Sequence, residues 1–211
     1  MKKTFINGCA TSPYLAQAFD ALGWSAWTCD LKPSEGWKNH IQGDILDVLG
    51  LGWTFGVFHP DCQYLANSGV RWRLERNEWA EVENAARFFN EVDGAPFPHV
   101  TENPIPHRYA RQYIRKYDQL IQPWNFGALE SKAICLWLTG VPDLVKTVKV
   151  KPDNVRQSVW REPPSVNRRA NRSRNFPEVC MEWARQWNDY FIAPEKSHDH
   201  NFIEQQLRLE L

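Results

Sequence analysis

Short apolar runs alternate with segments of helical period along most of this chain, and that alternation restricts it to a mainly parallel sheet covered by helices. Residues 3 to 9, Lys-Thr-Phe-Ile-Asn-Gly-Cys, read as a short strand running into a glycine turn. Ser12 and Pro13 then offer a helix N-cap and a first-turn proline. Leu15, Ala18, Phe19 and Leu22 repeat on one helical face, and Gly23 is the expected stop. Ser25 to Cys29 reads as a second strand ending at Asp30, which completes a βαβ start.

Gly43-Asp44 opens a short element, after which Trp53 to Phe58 has the unbroken apolar character of a buried parallel strand and runs into His59-Pro-Asp-Cys-Gln63. Trp79, Val82, Ala85, Ala86 and Phe89 predict a helix from about Glu78 to Val92. Pro98 to Pro104 and Ile134 to Leu138 read as further strands, and Phe176-Pro177 opens a last helix with Val179, Trp183, Trp187 and Phe191 on one face. The expected fold is a single-domain, Rossmann-like α/β sheet, mostly parallel and flanked by helices, with ligands at the carboxyl ends of the strands. Residues 1–193 are expected to form one catalytic domain, 141–175 a long basic loop without a clean period, and 194–211 a polar, mobile tail.

With 211 residues and 43% hydrophobic content, the chain is long enough for one well-buried domain and short for two. Basic and acidic residues balance at 25 each, so whole-chain charge points to neither nucleic acid nor a membrane surface. Their distribution is uneven: from Lys146 to Arg174 nine basic residues face only Asp153 and Glu162. The five cysteines are widely spaced, with no Cys-x-x-Cys pair and no nearby histidine at ligand spacing, so neither a disulfide framework nor a metal site is expected. No apolar stretch suits a signal peptide or a membrane span, and a cytoplasmic protein without an obligate protein partner is the expectation.

Four of the cysteines sit in apolar surroundings that suit an inert buried thiol; Cys62, in Pro-Asp-Cys-Gln after a buried strand, does not. About 40 residues later Thr-Glu102-Asn-Pro ends another strand. Taken singly, each has a bland reading, a small buried side chain or common turn chemistry. The pair, in this order, resembles the catalytic motifs of the DNA cytosine-5 methyltransferases, and Gly127-Ala-Leu-Glu-Ser-Lys132-Ala-Ile-Cys-Leu-Trp resembles a later motif whose basic side chain approaches the flipped base. The chain is similar to short, phage-type members without a separate target-recognition domain, which implies a class I methyltransferase fold in a bacterial or phage-infected cytoplasm.

That resemblance implies a covalent route. Ring C5 of cytosine is a weak nucleophile until a soft thiolate adds at C6, the role implied for Cys62. Glu102 would then neutralise charge at N3 and read the exocyclic amine, best with a pKa raised by burial, and Lys132 would lie against the base. The implied donor is S-adenosylmethionine, held by Asn7 and Gly8 of the first turn, Asp30, Asp44 and Pro60. Three departures stand out: the first turn has one glycine where the family has two or more, Asp61 replaces a proline, and Lys132 replaces a common arginine. Arg168, Arg169, Arg172 and Arg174 of the basic segment, with Gln63, are the candidate contacts to cytosine-containing DNA. A base must leave the duplex, or be single-stranded, for such an attack. A free pyrimidine nucleotide with another group donor, and a catalytically inactive DNA-binding relative, stay open as alternatives.

Overall fold

The computed structural model describes residues 2–166 and 168–193, with backbone alone at Arg169 and Ala170; the tail expected at 194–211 lies outside the described residues. Seven strands form one sheet in the order β3-β2-β1-β4-β5-β7-β6. They are β1 Thr4–Gly8, β2 Ser25–Asp30, β3 His40–Gln42, β4 Phe55–Phe58, β5 His99–Asn103, β6 Gln119–Ile121 and β7 Ile134–Thr139. The first five are parallel, whereas β7 runs antiparallel to both β5 and β6. The chain thus has the Rossmann-like α/β fold expected, with carboxyl ends of β1, β2, β4 and β5 gathered along one edge.

Helices cover both faces. Helix α1 (Tyr14–Ala21) follows β1, and Gly23 ends it at φ +87°, a left-handed geometry in which a glycine carries no Cβ penalty. Its cap differs by one position from the sequence reading: Pro13 occupies it, its carbonyl accepting from Gln17 N at 2.8 Å, while Ser12 Oγ makes no hydrogen bond. Helix α2 (Val70–Arg76) carries no signal in the sequence, because none of its residues is buried and no apolar stripe marks it. Helix α3 is Trp79–Val92. The segment expected to be one long loop contains two short helices, α4 (Ser158–Arg161) and α5 (Arg168–Ser173). Elements this short bury too little apolar surface to leave a period in the sequence. Helix α6 (Pro177–Ile192) turns Val179, Trp183 and Trp187 inward, as the spacing predicts.

Strand alternation divides the core. Phe5, Phe55, Val57, Val100 and Leu136 pack with Phe19, Trp24, Trp183 and Trp187 under α1 and α6. Ile6 and Phe58 pack with Val92 on the opposite face, where Phe89 meets Cys135 and Trp137. Trp24 Nε1 donates to Asn188 Oδ1 at 2.8 Å, fastening α6 to the start of β2. Among the described residues no helix is long and apolar enough to cross a membrane, and no cluster of three or more His, Cys, Asp or Glu side chains could hold a metal.

Candidate active site

Three neighbouring strands end side by side, and a hydrogen-bonded row crosses them. Asn7 lies in β1, His59 directly after β4, and Glu102 in β5; Gly8 is in register with Phe58, and Phe58 with Thr101. His59 Nδ1 meets Glu102 Oε2 at 2.9 Å and His59 Nε2 meets Asn7 Oδ1 at 3.0 Å. Asn7 and Glu102 are buried, and Glu102 Oε1 is enclosed without any hydrogen-bond partner. An enclosed carboxylate oxygen without a donor is costly, which makes it conspicuous at a sheet edge suited to ligands.

Glu102 and Asn103 leave β5 on opposite faces, because successive strand residues alternate. Glu102 follows Val100 toward α6. Asn103 turns the other way, and its Nδ2 donates to the carbonyl of Pro60 at 2.9 Å. That bond ties β5 to the loop carrying Cys62. The loop closes tightly, with the amides of Leu65 and Ala66 both donating to Cys62 O and Gln63 N donating to Asp61 Oδ1 at 3.0 Å. Beyond it, Asn67 N donates to Ile105 O, and His107 Nε2 donates to Tyr64 O at 2.8 Å while its Nδ1 accepts from Ala110 N. His107 is therefore neutral, consistent with burial lowering its pKa. Cys62 itself is partly exposed, and Gln63 is exposed.

The carboxyl of Glu102 departs from the sequence expectation. Burial is the largest single influence and pushes its pKa up, yet the His59 hydrogen bond, the nearby Lys132 charge and the His59 charge together bring it below the ordinary glutamate value. Sequence reasoning saw the burial and missed the donor, because His59 and Glu102 are 43 residues apart. Lys132, in the turn before β7, is thus brought within electrostatic reach of Glu102. The two buried thiols nearby, Cys135 on β7 and Cys180 on α6, are each pushed up to about 12, mainly by burial.

The turn after β1 needs no second glycine. Cys9 itself adopts φ +55°. Gly8 is required for packing: a Cβ there would lie 2.5 Å from Phe58 Cδ1 and 2.7 Å from Ile45 Cδ1. The side chain of Asn7 is engaged with His59, and Pro60 is buried with its carbonyl taken by Asn103, so neither faces outward as a ligand contact from its polar group. Asp30 Oδ1 accepts from Lys32 N at 2.9 Å, and Asp44 Oδ1 caps a 3-10 turn at Leu46 N. Each keeps a second oxygen beyond those bonds. The Cys9 thiol is pushed far up, first by burial and then by the charges of Asp30, Cys29, Asp44 and Asp61, so the fields of three carboxylates reach this turn. Asp61, the departure from the family motif, belongs to that group.

The basic segment spans the same edge. Its middle is pinned beside Lys132, where Arg156 exchanges backbone bonds with Leu129 and Ser131 and its Nε meets the buried Glu130 at 2.9 Å. Its far end reaches the loop after β2, where Arg174 Nη2 lies 3.3 Å from Glu35 Oε2 and Thr11 Oγ1 donates to the other oxygen. Between them Arg168 Nε donates to Glu162 O at 2.8 Å, and Arg172 Nε is buried without a hydrogen-bond partner. The side chain of Arg169 lies outside the described residues.

No protein-family model and no curated protein sequence matches the chain. Among solved structures, it is similar to an E. coli chain described as a candidate DNA modification methyltransferase encoded within a prophage, at 12% identity and a TM-score of 0.40. The match covers 64% of this chain and 45% of that one, so this chain spans under half of that protein's length.

Proposed function

We propose that the protein is a DNA cytosine C5-methyltransferase-like enzyme, in which Cys62 adds to the base and Glu102 engages its N3 and N4 edge. The observation that carries this reading is the enclosed, unpartnered Oε1 of Glu102 at the edge where Asn103 ties down the Cys62 loop. A carboxyl held by one oxygen and unpartnered at the other suits a flat heterocycle with adjacent acceptor and donor atoms.

Glu102, ionised at rest, takes up a proton from solvent as the base binds; the Cys62 thiolate then forms a bond to C6, and the ring electrons displaced toward N3 take up that proton. C5, now an enamine carbon, can accept an alkyl group; loss of the C5 proton to a base and expulsion of the Cys62 thiolate restore the ring, while N3 returns its proton to Glu102. S-adenosylmethionine, where bound, supplies the methyl group. The Asp30, Asp44 and Asp61 carboxylates around the Cys9 turn fit its ribose hydroxyls and cationic sulfonium in chemical type. Lys132 favours the carboxylate that Glu102 becomes on donating its proton. Arg168, Arg172 and Arg174, with Gln63 on the nucleophile loop, are the proposed contacts to DNA, and Trp160 stands 71% exposed among them.

The test uses DNA containing 5-fluorocytosine, with and without S-adenosylmethionine, read by intact mass. A covalent adduct at Cys62 that requires the cofactor is expected, because fluorine cannot leave as a proton after transfer. Cys62→Ser should abolish it, and Glu102→Gln should slow it by on the order of 100-fold or more. Absence of an adduct alongside a competent control enzyme overturns the reading in favour of a free nucleotide, another donor or an inactive binding protein.

A further inference from the structure

Asn7, His59 and Glu102 form a continuous polar row across β1, β4 and β5, and the cytosine chemistry assigns no task to its middle member. The side chain of His59 is 14% exposed and that of Glu102 is 9% exposed, so both are largely removed from solvent and their interaction is weakly screened. A lone carboxylate can turn about its last bond and present either oxygen. Here one oxygen is taken: Nδ1–H of His59 donates to Oε2, and Oε1 alone is left without a donor. The ring is held in turn from its far side by the amide of the buried Asn7. That amide accepts from Nε2–H when the ring carries two protons and, turned over, donates to Nε2 when the ring is neutral. Nδ1–H points at Glu102 in both cases.

We infer that His59, buttressed by Asn7, is the positioning residue that fixes which oxygen of Glu102 meets the base and that stabilises the carboxylate left when this oxygen gives its proton to N3. The inference rests on the reading under Proposed function and deepens it. The balance closes once Oε1 has taken a proton from solvent as the base binds: the O–H bond at Oε1 breaks as N3–H forms, the Nδ1–H donor stays on Oε2 throughout, and the proton returns when the thiolate leaves. The other groups facing Glu102 are Lys132 before β7, the Cys135 thiol on β7 and the Cys180 thiol on α6. Of these only Lys132 opposes burial by its charge, and it makes no hydrogen bond to Oε2. The lowered glutamate pKa agrees with a donor at that oxygen.

The experiment follows the Glu102 carboxyl directly, by carbon-13 NMR titration of the full chain with labelled glutamate, in the wild type, His59→Phe and His59→Asn. In His59→Phe the Glu102 titration is expected to move to higher pH. Adduct formation with 5-fluorocytosine DNA should slow on the order of 100-fold, the scale of a misplaced reacting group, while DNA affinity changes less than about threefold. His59→Asn, which keeps an N–H near the Nδ1 position, should recover most of the loss; it also serves if the phenylalanine variant does not fold. A Glu102 titration that ignores both substitutions overturns the inference, as does an effect confined to DNA affinity. A wild type that forms no adduct while its Glu102 still responds to His59 overturns the cytosine chemistry and leaves the positioning intact, so the two failures are distinct.

Discussion

Asn103→Ala removes the amide that holds the Cys62 loop to β5 and leaves the carbonyl of Pro60 without its donor. A buried acceptor deprived of its partner costs about 1–3 kcal/mol. The lower end applies here, because Asn103 Oδ1 is itself enclosed without a partner and its removal relieves a desolvated atom. A net loss of about 1 kcal/mol corresponds to a fall in Tm of about 2–4 °C for a chain of this size. The catalytic effect should be far larger, since a loop anchor acts on geometry: about 10- to 100-fold in the rate of adduct formation by Cys62. Asn103→Asp, which sets a carboxylate oxygen against that same carbonyl, should lower Tm more than alanine does. Calorimetry and timed adduct formation on 5-fluorocytosine DNA measure both quantities. An alanine variant with an unchanged adduct rate refutes the claim that this bond positions the nucleophile. An aspartate variant as stable as alanine refutes the assigned donor direction.

Two further outcomes follow from the β1 turn and the basic segment. Cys9→Gly removes a left-handed strain of about 1–2 kcal/mol but also a partly buried thiol and some chain stiffness, so Tm should stay within about 4 °C of wild type. Cys9→Val places a β-branched side chain at φ +55° and should be clearly less stable; equal Tm values would remove the strain argument. Replacing Arg168 and Arg172 by Gln should weaken binding to DNA and reduce its dependence on salt by about one unit of slope for each phosphate no longer neutralised. Unchanged affinity and slope in a titration across salt concentrations would take the segment out of the DNA reading.

Periodicity alone determined the βαβ start, the buried strand at Phe55–Phe58, the long helices α3 and α6, and hence an α/β sheet with Cys62 and Glu102 near strand ends. These are long or wholly apolar elements, and burial writes a regular spacing into them. Strand order and the reversed β7 could not be read, because pairing partners leave no mark in a single sequence; nor could α2, α4 and α5, which bury little. The site divides in the same way. Residue types and motif order picked out Cys62, Glu102 and Lys132. Tertiary structure alone set His59 between Asn7 and Glu102, gave Asn103 the carbonyl of Pro60, and gathered Asp30, Asp44 and Asp61 around Cys9. Each of those relations joins residues far apart in sequence, and hydrogen bonds and fields depend on distance through space, which strand register decides and spacing along the chain does not. The same cause reversed the expected shift at Glu102: burial was legible from an apolar strand, whereas the His59 donor and the His59 and Lys132 charges that together outweigh it arrive from other parts of the chain.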